Sequence, residues 1–72
     1  MEIVSVNRNI LGGTPCFAGT RVPIKSLFDY LEGAETIEEF LRQFPSVRRE
    51  QVMALLESAR LRTEAEAVDA AQ

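Results

Sequence analysis

Side chains able to do chemistry are scarce in this 72-residue chain, and the missing types exclude more than the present ones suggest. There is no histidine, so no imidazole acid, base or metal ligand is available. A single cysteine, Cys16, excludes an internal disulfide and a CxxC-type zinc site. A nucleophilic thiolate needs a base or a local positive field, and the loop offers only Arg21. Cys16 therefore reads as a small buried hydrophobe. Carboxylates are plentiful, but none sits in a recognisable acid–base pair. No catalytic residue, metal or cofactor is expected, and the chain does not read as an enzyme. What remains is recognition by cations: Arg21 and Lys25, the Arg48-Arg49 pair, and Arg60 with Arg62.

Their surroundings limit what those cations can hold. Net charge is −3, against a generic polyanion binder, which usually carries a basic field. Residues 1–30 set Arg8, Arg21 and Lys25 against Glu2 and Asp29, a net +1. Residues 31–50 and 51–72 each carry −2. Attraction to DNA must be local, near Arg48 and Arg49 or near Arg21 and Lys25. No run approaches the roughly 20 apolar residues that span a bilayer. The opening MEIVSVNRN lacks the order of a signal peptide, so a cytoplasmic, reducing location and no membrane contact are expected.

The elements that must position these groups are legible in outline. Ile3-Val4-Ser5-Val6 is β-branched and predicts a short strand. Gly12, Gly13, Pro15, Gly19 and Pro23 forbid a helix across 12–22 and suit a hairpin that tucks Ile10, Leu11, Phe17 and Val22 onto the helices. Three helices follow. The first opens with Pro23 at its first position, carries Ile24, Leu27, Phe28 and Leu31 at i, i+3, i+4, i+7, and closes with a left-handed Gly33. The second opens on a Thr36–Glu39 capping box, carries Ile37, Phe40, Leu41 and Phe44, and ends at Pro45. The third starts within Ser46–Arg48 and carries Val52, Leu55, Leu56 and Ala59. Three stripes of one spacing imply one shared core, with Tyr30, Phe28, Phe40 and Phe44 in it rather than stacking on bases. Residues 63–72 form an acidic, alanine-rich tail that should fray alone and extend the third helix on a partner. Residues 1–62 then form one domain.

The run Gly33 to Leu56 has the rhythm of a helix-turn-helix, whose second helix can enter a major groove. The segment Gly13-Thr-Pro-Cys-Phe-Ala-Gly-Thr-Arg-Val-Pro23 resembles the GxPxIxGTRIPV signature of the small bacterial family called domain of unknown function 433. Gly33-Ala-Glu-Thr-Ile-Glu-Glu-Phe40, Phe44-Pro45 and Glu50 to Leu55 continue the likeness over roughly residues 7–60. That resemblance implies a mainly α, three-helix, winged-helix-like or helix-turn-helix domain with a short N-terminal β arm. It also implies an antitoxin of the VapB class, whose partner is a PIN-like ribonuclease toxin with an acidic, Mg²⁺-binding active site. Where the family often has Leu-Thr before the third helix, this chain has Val47-Arg48, so the cap is expected to shift to Ser46. Two cations beside a helix N-terminus then call for an anion, and a DNA phosphate would serve.

These readings assign Lys25, Ser46, Arg48, Arg49 and Gln51 to operator DNA, held with the toxin bound. Met53, Ala54, Leu61, Arg60 and Arg62 are assigned to the toxin, the arginines competing with metal among its carboxylates. On a helical wheel Glu50, Gln51, Ala54, Glu57, Ser58 and Leu61 fall opposite the apolar stripe, where two carboxylates disfavour DNA and an apolar streak favours protein. Gly19, Thr20 and Arg21 are expected to be structural, Arg21 clamping carbonyls or a carboxylate. A homodimer is expected. Rival readings are a stand-alone repressor, a protein-interaction module without DNA, and a ribbon-helix-helix fold.

Overall fold

A computed structural model describes residues 2–70; Met1, and Ala71 and Gln72 at the end of the expected tail, lie outside the described residues. The order is β1 (Val4–Ser5), a 3-10 turn at Leu11–Gly13, β2 (Cys16–Phe17), α1 (Ile24–Glu32), α2 (Ile37–Gln43) and α3 (Arg49–Ala70). The protein is mainly helical, with a two-stranded antiparallel hairpin at its N-terminus. β1 pairs with β2 in the register Val4↔Phe17 and Ser5↔Cys16.

Residues 6–15 link β1 to β2, and directly after β2 the chain turns back on itself, so that the Phe17 N–H donates to the Val22 carbonyl at 2.9 Å and Pro23 bridges Cys16. Thr20 N–H donates to the Phe17 carbonyl at 3.0 Å. Gly19 takes φ 78 at the third position of that turn, a conformation glycine adopts without the Cβ cost. Open space surrounds the position of a Cβ there, so the backbone angle alone requires glycine. The Thr20 hydroxyl donates to the Phe17 carbonyl at 2.8 Å and accepts the Val22 N–H at 3.0 Å. Thr20 is the buried clamp; Arg21 is exposed and makes no hydrogen bond among the described residues, contrary to the sequence expectation. Leu11 also departs from expectation, standing exposed while Phe17 and Val22 are buried.

Each helix contributes one side chain to the centre, as the shared spacing predicts. Leu27, Phe40 and Val52 are fully buried, with Phe17 from β2 and Val22 and Val47 from the connections. Phe40 is the hub: its ring lies 5.9 Å from Phe17, 5.5 Å from Tyr30 and 5.0 Å from Phe44. Such tilted and edge-on pairs add roughly 0.5–1.5 kcal/mol each beyond burial. Phe28, expected in this core, is only half-buried and lines an outer groove. Cys16 is buried, its thiol donating to the Thr14 carbonyl at 3.3 Å.

Several ends differ from the sequence reading by one or two residues. Pro23 caps α1 from outside, with ψ 142 and a bridge to Cys16, so the helix begins at Ile24. Gly33 is not left-handed (φ −85); Ala34 is, at φ 66. Ala34 N–H reaches the Leu31 carbonyl at 3.1 Å and Glu35 N–H the Tyr30 carbonyl at 2.9 Å, a Schellman closure. Thr36 Oγ1 accepts the Glu39 N–H at 3.0 Å, half of the expected box. The other half is missing because the Glu39 carboxylate turns to Arg42 and Gln43. α3 begins later than expected, at Arg49, and runs on to Ala70 through the tail expected to fray. Left-handed alanine costs roughly 1–2 kcal/mol, partly offset in glycine by its looser unfolded chain. Ala34→Gly is therefore expected to raise stability by about 0.5–1 kcal/mol in urea unfolding.

Candidate interaction surfaces

Two clefts and one free helix carry the sequence-selected residues. The first cleft lies between the Ala18-Gly19 turn and the start of α3, with Glu2, Ser46, Arg48, Glu50 and Gln51 around it. Ser46 and Arg48 are exposed there. Arg49 stands beside them on α3, but its guanidinium is engaged: it reaches Glu38 of α2 at 3.1 Å. A protein carboxylate thus supplies the anion that the sequence reading sought in a phosphate. Glu38 is held below the ordinary carboxylate range, first by a hydrogen bond to its own backbone and then by Arg49. A lowered folded-state pKa means that this pair supports the fold above the ordinary glutamate range, a contribution lost as pH falls below that range and through the lowered folded-state pKa. Lys25 is not part of this cleft. It sits on α1, 2.7 Å from Asp29, whose hydrogen bond and charge raise its pKa.

Gln51 corrects the helical-wheel assignment most sharply. It is 6% exposed and faces inward. Its Nε2 donates to the Ala18 carbonyl at 2.9 Å, and its Oε1 accepts the Arg48 N–H at 2.9 Å. The reason is geometric: four residues along a helix turn through about 400°, so Gln51 lies only about 40° from Leu55. Both ends of the amide are spent on backbone, leaving nothing aimed at a base edge. Gln51 also closes the α3 N-terminus, the role expected of Ser46, by reaching back three residues to Arg48. The signal was present as a glutamine at the third helical position.

The residues assigned to a protein partner lie along α3. Met53 is exposed and Ala54 half-buried near its base, and Leu61 is 53% exposed beyond the core. Arg60 is held by Glu57 and, at 2.7 Å, by Glu64. Those hydrogen bonds raise its pKa, and the one it gives Glu57 lowers that carboxyl. Arg62 is exposed and makes no ion pair among the described residues. Every residue from Ala59 to Ala70 is exposed.

A second cleft, between the hairpin and α1, was not anticipated. Val4, Pro15, Ile24 and Phe28 form its apolar floor, with Thr14, Lys25, Asp29 and Glu32 at the edge. Only tertiary structure joins Val4 to Phe28, so no local spacing could have revealed it.

The family model described as "Protein of unknown function (DUF433)" matches residues 4–59, from β1 through the anchored part of α3. The chain belongs to that family. A relative, the uncharacterized protein y4eO of Sinorhizobium fredii (strain NBRC 101917 / NGR234), is 37% identical over 51 residues. That match covers 71% of this chain and 23% of the relative, so the chain spans about a quarter of the curated protein it matches. No solved structure matches it. The DUF433 match ends at residue 59, where α3 leaves the core and its exposed half begins.

Gln51→Ala is expected to destabilise the fold by about 1 kcal/mol or more, because the part-buried Ala18 carbonyl and Arg48 N–H lose their shared partner together. Thermal unfolding checks this; an unchanged midpoint would return Gln51 to the surface.

Proposed function

We propose that this chain is an antitoxin, which neutralises a PIN-like ribonuclease toxin by seating the free half of α3 on it. The observation that carries this reading is that half itself: α3 is a 22-residue helix whose described residues beyond Ser58 are all exposed. Unsupported helical stretches shorter than about 12–15 residues, such as this free half, are marginal in water and acquire stability from a surface that covers one side. Leu61, Ala65 and Val68 recur at four- and three-residue steps, an apolar seam for such a surface. The nuclease class comes from the family resemblance; the helix supplies the means of contact.

Between the two arginines assigned to the toxin, Arg62 is the better one to enter an acidic active site. Arg60 would first have to leave Glu57 and Glu64. Inhibition on this account is steric and electrostatic, with no reaction performed by this chain. Its place of action is the cytoplasm, where both the transcripts and the operon are found.

Operator contact is the secondary part of the proposal. α2, the Phe44–Val47 turn and α3 would act as a helix-turn-helix, with the hairpin as a small wing. Ser46 and Arg48 would meet phosphates at the α3 N-terminus, a positioning contact without base readout. Glu2 and Glu50 on the same cleft oppose it, which suits a complex that borrows the toxin's charge. Arg48→Ala should weaken binding evenly across sequences and reduce the salt slope by about 1.

The direct test starts from the adjacent genes: a PIN-like nuclease found there is co-purified with the chain, followed by an RNA-cleavage assay. Equimolar chain is expected to abolish cleavage. Leu61→Asp should raise the inhibition constant by at least about tenfold, roughly one lost apolar contact. Arg62→Ala should cost more inhibition than Arg60→Ala. Unchanged cleavage in the presence of the chain would overturn the antitoxin reading.

A further inference from the structure

The groove between β1 and α1 is the part of the surface that the antitoxin reading leaves unused. Val4 pairs directly with Phe17, so their side chains share a face of the hairpin, and Val4 meets Ile24 and Phe28 across the groove. Its volume is about 640 Å³ and its lining is predominantly apolar. Val6, just past the end of β1, is 66% exposed, and Leu11 is also exposed. β1 pairs only with β2, leaving its other edge unpaired among the described residues. A chain this small, with so few fully buried side chains, gains most by covering such a surface.

The charges on the rim say what covers it. Lys25, Asp29 and Glu32 line the groove on the same side of α1 as Ile24 and Phe28. Lys25 lies near the start of the helix and Glu32 at its end. Two copies of α1 crossing antiparallel, centred between residues 28 and 29, set Lys25, which also holds its own Asp29 at 2.7 Å, opposite Glu32 of the partner subunit, twice over. The same crossing brings the two Phe28 rings together at its centre. A parallel crossing would instead oppose lysine to lysine and glutamate to glutamate. The groove is therefore complementary to itself under a two-fold axis across α1, the property an isologous interface requires.

We propose that the β1–α1 groove seats a second copy of this chain, packed about a two-fold axis across α1 with Phe28 at the centre and Lys25–Glu32 pairs at the rim. α1 alone offers a contact only about 13–14 Å long. Val4 and Val6 on the β1 flank widen it toward the roughly 1,600 Å² of a standard interface. No residue of α3 takes part, so the dimer leaves both free helices available and stands apart from the identity of any toxin.

The test is sedimentation equilibrium on the full chain across a concentration series, with far-UV circular dichroism to confirm that each variant folds. The native chain is expected at twice its 8.0 kDa mass in the range of about 10–100 µM. Lys25→Glu and Glu32→Lys should each weaken the dimer by at least about tenfold, since each turns two attractive contacts into repulsive ones. The double variant K25E/E32K restores both pairs with reversed sign and should return the dissociation constant to within a few-fold. Phe28→Ala should leave a monomer. A native chain that is monomeric throughout, or a dimer indifferent to the single charge reversals, would overturn the proposal. So would a double variant no better than its parents, or groove variants that lose the nuclease while keeping the dimer.

Discussion

One buried amide fixes the geometry on which the rest depends. Gln51 joins the Ala18 carbonyl to the Arg48 N–H, tying the first turn of α3 to the turn that follows β2. The apolar core could not do this alone. Val47 and Val52 are the fully enclosed apolar residues around the base of α3, and Leu55 and Leu56 are only partly covered. A helix held by so little apolar surface needs a directional contact to set the angle at which it leaves the domain. Unmet buried polar groups cost more than a met bond returns, so the bridge acts as a constraint as much as a stabiliser. Glu38 and Arg49 add an outer tie between α2 and α3, exposed and correspondingly weak.

That constraint divides the molecule into a base and a projecting rod. The hairpin, α1, α2 and the first turns of α3 share the Phe40-centred core. The rest of α3 stands clear of it. The family match stops at that same boundary, which fits a common base carrying a terminal segment of separate character. The two unpartnered apolar surfaces lie on different elements, one on the free half of α3 and one between β1 and α1. A protein with two such surfaces can assemble with itself and with a different partner without competition between them.

Much of the base was legible in the sequence. Leu27, Phe40 and Val52 meet as their 3.6-residue spacing requires, and Thr36 caps α2 as its position before Ile37 suggests. The failures were of two physical kinds. Where a backbone motif is set by one residue's dihedral, composition misplaced it: glycine at 33 invited the left-handed role that the chain gives to Ala34. Where a polar side chain is fixed by tertiary contacts, its type pointed outward while its partner lay far along the chain. Gln51 finds Ala18 thirty-three residues away, and Arg49 finds Glu38 eleven away. The GTR run shows the same effect locally. Its conspicuous arginine is idle, and the modest threonine beside it holds the turn.

The surfaces were less legible than the core, because exposure is decided by what the fold leaves uncovered. Arg60 and Arg62 look equivalent in sequence, yet one is bound by two glutamates and the other is not. Native-state amide hydrogen exchange along α3 tests the division between base and rod most directly. The Arg48 N–H and the amides of residues 52–58 are expected to exchange only through global unfolding, with those of residues 63–70 faster by orders of magnitude. An Arg48 N–H that exchanges like an open loop, or a helix equally protected from end to end, would contradict the account.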